Sequence, residues 1–241
     1  MHLGISVYTA GAEEKDVTQL AKQLKYLNKT VKTNLQEKGI KVGFVQIKER
    51  YLSSVSVFKN ELLTRGIELV LMLSKDTLII GKTLAVQEFE SFSFRDMGRP
   101  EKDKRSGILP PKLARIMINL ARVGTQATLC DPFCGSGTIV QEAIILGFKR
   151  ITGSDISSKA VADTQKNIDW LYSRFRGFDR SIANIHIFQA DVHAVSEKIN
   201  HVSLDAIVTE PYLGPPLFKK PDEGTIKKIL GNIAPLYRNA F

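Results

Sequence analysis

The sequence predicts an α/β protein: a parallel sheet wound with helices, preceded by a smaller α+β half. Three observations carry this prediction. Residues 127–138, Ala-Thr-Leu-Cys-Asp-Pro-Phe-Cys-Gly-Ser-Gly-Thr, run from a short apolar strand through a tight loop into a helix. Further apolar runs follow at helix-length intervals, and Asp131, Asp155 and Asp191 each stand at the C-terminal edge of one such strand. The first 90 or so residues lack this rhythm and read as strand, long helix, strand, helix and hairpin.

His2 to Tyr8 reads as a strand. Glu13 to Glu37 reads as an amphipathic helix, with Leu20, Leu24, Leu27, Val31 and Leu35 on one stripe. At this length a core-facing stripe is favoured over a dimerisation zipper. Lys41 to Ile47 is expected as a strand and Val55 to Leu63 as a helix ending near Gly66. Ile67 to Leu73 and Thr77 to Ile80 flank a Ser-Lys-Asp turn and predict a hairpin. From Phe92 to Ser106 apolar content falls and charge rises, which marks a boundary. Pro110 to Val123 predicts a helix, its prolines at the first turn where a missing N–H costs nothing. Then come the strand into Asp131, a helix from Ile139 to Leu146, and strands over Arg150 to Asp155, Asn184 to Gln189 and Leu204 to Val208. One more helix is expected from about Glu223 to Tyr237.

The loop after Asp131 is the most informative segment. Gly135 and Gly137 permit close backbone approach to a ligand, and the following helix offers its positive end to a carboxylate or phosphate. An acid at the strand end suits an ammonium rather than a pyrophosphate. A ligand with both an ammonium and a carboxylate is an amino acid, and S-adenosylmethionine is an amino acid joined to a nucleoside. Asp155 lies about 20 residues beyond the glycines, the usual place for a carboxylate that takes ribose hydroxyls. Ile156 could lie on the adenine face, and Asp191 could accept from the adenine amino group. Taken singly, each Asp would more often be a cap or strand-end residue.

Competing phosphate loops fail on spacing. Gly137-Thr138 lacks the P-loop lysine, and Gly81-Lys82-Thr83 has Asp76 where the first glycine belongs. A dinucleotide fingerprint wants a third glycine where Val140 stands.

The fourth strand ends in Thr209-Glu210-Pro211-Tyr212, an order similar to motif IV of amino-group methyltransferases. That tetrapeptide, the Asp131–Thr138 loop, Arg95-Asp-Met-Gly-Arg-Pro100 and Gly107-Ile-Leu-Pro-Pro-Lys-Leu-Ala-Arg115 together resemble the THUMP-domain tRNA guanosine N2-methyltransferases of the position-10 type. The resemblance spans about Met1 to Tyr212. It implies a Rossmann-like methyltransferase sheet, S-adenosyl-L-methionine as cofactor, and methyl transfer to the exocyclic N2 of a guanosine in tRNA. It implies cofactor contacts at Leu109, Pro110, Asp131, Phe133, Gly135, Gly137, Thr138, Asp155, Ile156 and Asp191, and a catalytic tetrapeptide of Thr209, Glu210, Pro211 and Tyr212. The first half then resembles a THUMP RNA-binding domain.

One departure matters. The family's tetrapeptide begins with an acid or amide followed by proline, where this chain has Thr209 and Glu210. Thr209 Oγ and the Glu210 carbonyl could still aim the target amine, Glu210 could supply a carboxylate, and Tyr212 could stack on the base. A DNA amino-methyltransferase would share the cofactor loop and the tetrapeptide without needing the THUMP-like half. A non-catalytic RNA-binding protein with a relict pocket would explain Thr209-Glu210.

Composition fits a protein that meets a polyanion. The chain has 241 residues, net charge +9 and a pI near 9.5. Arg95, Arg99, Lys102, Lys104, Arg105, Lys112 and Arg115 crowd the boundary, and Arg95, Arg99 and Lys112 are the RNA-contact candidates. Lys22, Lys25, Lys29 and Lys32 recur along the long helix, where a plain solvated face is as good a reading. Two cysteines and four scattered histidines give no zinc spacing and no disulfide scaffold. No segment has signal-peptide or membrane length, so a cytoplasmic protein is expected; no metal is expected, and the oligomeric state is left open with a monomer as the default. The expected domains are 1–94, THUMP-like; 95–109, a basic linker; and 110–241, the methyltransferase sheet. Only four of the family's seven strands can be placed, so an incomplete sheet is expected.

Overall fold

The computed structural model describes residues 1–45, 49–103, 107–175, 179–199, 203–217 and 219–240, with the side chains of 25, 239 and 240 left aside. The chain divides into two compact units, Met1–Glu90 and Ser91–Phe241.

The first unit contains β1 (His2–Thr9), α1 (Glu14–Glu37), β2 (Gly43–Phe44), α2 (Ser54–Lys59), β3 (Ile67–Leu73) and β4 (Leu78–Lys82). Its sheet runs β2-β1-β3-β4; β1 is parallel to both neighbours, and β3–β4 is the expected antiparallel hairpin. Leu3, Ile5 and Val7 alternate onto one face of β1 and bury against Val17, Leu24 and Leu71. Leu20, Leu27, Val31 and Leu35 pack on the same core, so the α1 stripe is a core face. The opposite face holds a buried polar cluster in which the Ser6 and Thr83 hydroxyls donate to the two oxygens of Glu68.

Two expected elements here are shorter. The strand over 41–47 contracts to Gly43–Phe44, and residues 46–48 lie outside the described residues. The helix over 55–63 ends at Lys59. The Ser53 hydroxyl caps its start by accepting from Ser56 N at 3.2 Å, and Glu61 at φ 53° breaks its end.

The second unit is built from α3 (Phe89–Met97, which starts at the division), α4 (Pro111–Leu120), β5 (Thr128–Asp131), α5 (Thr138–Ile145), β6 (Arg150–Asp155), α6 (Ser158–Arg174), β7 (Asn184–Gln189), α7 (Val195–Lys198), β8 (Ala206–Ile207) and α8 (Glu223–Ala240). Its sheet runs β7-β6-β5-β8 with every pair parallel. From β5 the chain steps outward through β6 to β7, then returns to β8 on the other side of β5. The order therefore reverses between β5 and β8, and open α/β sheets bind ligands at the carboxyl ends of strands flanking such a point. β5 is buried along its whole length. Leu129 and Ile151 of the sheet pack with Ile118, Val140, Ile168 and Leu171 from α4, α5 and α6.

The segment expected as a linker, 95–109, begins inside α3, and its Arg95 and Arg99 are 3% and 2% exposed. Arg95 reaches Glu142 on α5, itself 1% exposed, with Nε 2.5 Å from Oε1. Arg115 of α4 bonds the other Glu142 oxygen at 3.0 Å. The basic density at 95–115 is thus partly an internal clamp on α5. β8 is also shorter than the expected run over 204–208, pairing with β5 through two residues.

Candidate active site

Four predicted site segments meet at the carboxyl edge of the second sheet. Asp131 pairs in register with Gly153, so Asp155 lies two residues beyond it on β6. Asp155 pairs with Gln189 of β7, two residues before Asp191. Cys130 pairs with Ile207 of β8, two residues before Thr209.

Asp131 is 1% exposed at the end of β5. Burial pushes its carboxyl up to about 7, and Asp155 and Glu210 add to the rise. The Thr209 hydroxyl opposes it by donating to Asp131 Oδ1 at 2.6 Å, as does Phe133 N–H at 3.3 Å. A ligand ammonium beside Asp131 would restore the charge that burial disfavours. This carboxylate acceptor therefore fits the ammonium end of an amino-acid ligand.

The glycine loop is positioned differently from the sequence expectation. Gly135 N–H donates to Asp155 Oδ2 at 3.0 Å, and Gly137 N–H to the Cys134 carbonyl at 2.7 Å. Neither donor is free for a ligand. The glycines are required instead by backbone conformation, at φ 54° and 82°. A Cβ on Gly137 would also come within 2.8 Å of Thr164 Cγ2. The α5 N-terminus follows directly, with no side-chain cap. Asp155 spans from the loop to α6, its other oxygen accepting Ser157 N–H at 2.9 Å.

The remaining predicted residues fall in three groups. Ile156 is 66% exposed beside Asp155, an open apolar face at this edge. Asp191 is half-exposed and accepts from His193 N–H at 3.0 Å, and Phe133 is half-buried in the loop. Leu109 joins the core, while exposed Pro110 starts α4. In the tetrapeptide Glu210 is exposed, Pro211 half-buried and Tyr212 52% exposed. Tyr237 of α8 donates its hydroxyl to the Tyr212 carbonyl at 2.9 Å, tying down the far end of the segment.

Three residues sequence reasoning missed hold the loop and the helix that follows it. Thr164 of α6 donates to the Gly135 carbonyl at 2.8 Å. Asn167, fully buried, donates to the Ser136 carbonyl at 2.8 Å and binds both backbone groups of Glu101. Glu142 holds α5 through the two arginines. Thr164 and Asn167 carry no motif signal because they grip backbone carbonyls. Of the basic candidates, Lys112, Lys22, Lys29 and Lys32 are exposed, whereas Lys104, Arg105 and the side chain of Lys25 lie outside the described residues. The burial of Arg95 and Arg99 does not fit contact with RNA phosphates.

Cys130 and Cys134 are buried free thiols. Burial and Asp131 push Cys130 up to about 12 and Cys134 higher still, so neither is a thiolate at neutral pH. Among the described residues no group of three His, Cys, Asp or Glu side chains could hold a metal ion, and no helix is long and apolar enough to cross a membrane.

The family model for UPF0020, an RMKL-like methyltransferase domain, matches residues 100–221, more than half of the chain. The chain belongs to this family. The matched UPF0020 segment contains the glycine loop, the three strand-end acids and the tetrapeptide. A tRNA (guanine(10)-N2)-dimethyltransferase of Methanocaldococcus jannaschii is 33% identical over 193 residues, covering 78% of this chain and 49% of that protein. Its namesake in Methanothermobacter thermautotrophicus is 33% identical over 147 residues, covering 59% and 38%. The UPF0020 chain thus spans about half the length, or less, of these relatives. Among solved structures, TrmN from Thermus thermophilus aligns with a TM-score of 0.49 at 15% identity, covering 99% of this chain and 57% of its own.

Proposed function

We propose that this chain carries the S-adenosylmethionine-binding and catalytic core of a tRNA methyltransferase that modifies the exocyclic N2 of a guanosine. The names of its relatives supply the substrate class. The observation that carries the reading is the Thr209–Asp131 hydrogen bond of 2.6 Å, which joins the ends of β8 and β5 across the switch point. It links a residue suited to a cofactor ammonium with one suited to a target amine.

When bound, the cofactor supplies an electrophilic methyl group on a sulfonium. Asp131 holds the ammonium and Asp155 takes the ribose hydroxyls through lone pairs not used by Gly135 and Ser157. Ile156 covers the adenine, and Asp191 accepts from its amino group. Guanine N2 is a weak nucleophile because its lone pair is delocalised into the ring, so positioning must supply much of the acceleration. Thr209 donates a hydrogen bond to Asp131, which leaves its oxygen lone pairs free to accept an N–H of the target amine. The Glu210 carbonyl offers a second acceptor, and its exposed carboxylate a place for the proton the amine sheds. Tyr212 offers an open ring on which an extruded base can stack, an interaction worth roughly 1–3 kcal/mol.

RNA capture falls to exposed lysines: Lys112 in the second unit, and Lys22, Lys29 and Lys32 along α1 of the first, which we read as a THUMP-like module. A tRNA substrate is consistent with the cytoplasm as the site of action.

The test is transfer from labelled S-adenosylmethionine to tRNA or DNA, with nucleoside analysis of the product. Label in N2-methylguanosine supports the reading; label in DNA alone, or in no nucleic acid while the folded chain ignores S-adenosylhomocysteine, overturns it. Tyr212→Ala should cut turnover about 10–100-fold and leave cofactor affinity within about twofold.

A further inference from the structure

Arg99 is 2% exposed, yet among the described residues only Nη1 of its guanidinium has a partner, the Thr138 hydroxyl at 2.5 Å. Nε and Nη2 are enclosed without a hydrogen bond among the described residues. A buried cationic fork with unused donors is costly, and an anion that filled them would remove the cost. Two carboxylates act on Arg99 electrostatically, Asp96 more than Glu142, but neither accepts a hydrogen bond from it among the described residues, and the Glu142 oxygens are bonded to Arg95 and Arg115.

Thr138 is the first residue of α5, so Arg99 lies against the end of a helix whose leading N–H groups lack carbonyl partners within the helix. The backbone just past Arg99 is fastened to the same place. Glu101 binds Asn167 through both its N–H and its carbonyl, and Asn167 holds the Ser136 carbonyl of the glycine loop. Arg99 is therefore held at the cofactor loop, away from any surface that RNA could touch.

We propose that Arg99, together with the α5 N-terminus, binds the carboxylate of the cofactor's amino-acid end. The assignment rests on the S-adenosylmethionine reading above. It gives the two buried charged residues at the loop complementary tasks: Asp131 takes the ammonium and Arg99 the carboxylate. A planar guanidinium presents parallel N–H groups that match a carboxylate, a geometry an ammonium lacks. Arg99 then selects ligands that keep their amino-acid end over bare nucleosides.

Calorimetry on the full chain tests this with two ligands, S-adenosylhomocysteine and 5′-methylthioadenosine, which lacks the amino-acid end. Arg99→Gln should weaken S-adenosylhomocysteine about 10–100-fold, as expected for lost hydrogen bonds to a charged group, and leave methylthioadenosine within about twofold. Arg99→Lys keeps the charge and should fall between wild type and Arg99→Gln. An unchanged S-adenosylhomocysteine affinity, or equal losses for both ligands, overturns the role of Arg99. A wild-type chain that binds neither ligand overturns the cofactor reading itself. Should the substitutions unfold the chain, a crystal structure of the wild type with S-adenosylhomocysteine decides. A carboxylate oxygen within about 3.2 Å of Nε or Nη2 supports the assignment, and a carboxylate seated elsewhere refutes it.

Discussion

At Asp131, burial and function pull in opposite directions. The folded carboxyl titrates near 7, above its ordinary value of 3.8, so the folded chain holds this proton more tightly than the unfolded one. The sign follows: stability from this group is fully present below the ordinary value and is lost as pH rises toward 7. Binding of an ammonium runs the other way, because it needs the ionised form. Affinity for S-adenosylhomocysteine should therefore rise roughly tenfold per pH unit up to about 7 and then level off. Asp131→Asn should bind weakly at every pH with that slope gone, and a wild-type profile flat from pH 5 to 7 would count against Asp131 as the ammonium partner. Thr209 tunes this group. Its hydrogen bond favours the ionised carboxylate, so Thr209→Val should move the inflection to higher pH. The same variant removes an acceptor for the target amine and should slow transfer roughly 10–100-fold. Loss of rate without a shifted inflection would separate the two roles. Asp131, Asp155 and Asp191 are legible in the sequence because a strand-end acid has a fixed place in a parallel sheet. The Thr209–Asp131 bond is not, since it joins residues 78 positions apart through a sheet order that only the fold specifies.

Among the elements, the loop between β5 and α5 shows how a correct motif can be given an incomplete reason. Spacing identifies the glycines, but their N–H groups bind Asp155 and Cys134, and their backbones occupy positive φ. The two positions differ in surroundings, which gives a paired test. A Cβ at Gly135 meets open space, so Gly135→Ala should cost only the left-handed backbone, about 1–2 kcal/mol. At Gly137 the Cβ would also press on Thr164 at 2.8 Å, and α6 would have to give way. Thermal melts should show a loss of about 2–8 °C for Gly135→Ala and at least double that for Gly137→Ala. Equal losses would mean that α6 yields freely. Strands and helices with strong periodicity are legible, β7 to the residue and α1 to within one. The segment 91–103 is not, because its charge density resembles a linker, whereas Arg95 finds its partner Glu142 47 residues away. The shortness of β8 has no signal either: its pairing is set by β5, not by its own apolar run.

For the molecule as a whole, the net charge of +9 overstates the surface available to RNA. Arg95 is spent on a buried ion pair and Arg99 is enclosed at the loop. Reversing Arg95 would leave Glu142 facing a second carboxylate inside the protein, and breaking a buried pair costs about 3–5 kcal/mol. Arg95→Glu should therefore fail in thermal melts before it can report on RNA. The informative reversals are at exposed positions, Lys112 in one unit and Lys22, Lys29 and Lys32 along one side of α1 in the other. Binding at a phosphate releases counterions, so the logarithm of tRNA affinity should fall linearly with the logarithm of salt. For every lysine that meets a phosphate, reversal should reduce that slope by about 0.7–0.9 and weaken binding at low salt. Lys112→Glu and the triple reversal on α1 should act additively if both units hold one RNA, because the substituted sites are far apart in sequence and share no partner among the described residues. Folding is the necessary control, and surface lysines should leave the melting temperature within about 2 °C. A slope unchanged by the triple reversal would remove α1 from the RNA interface and with it the reading of the first unit as the capture module. A slope unchanged by Lys112→Glu would leave the second unit meeting RNA only through the base that enters its site.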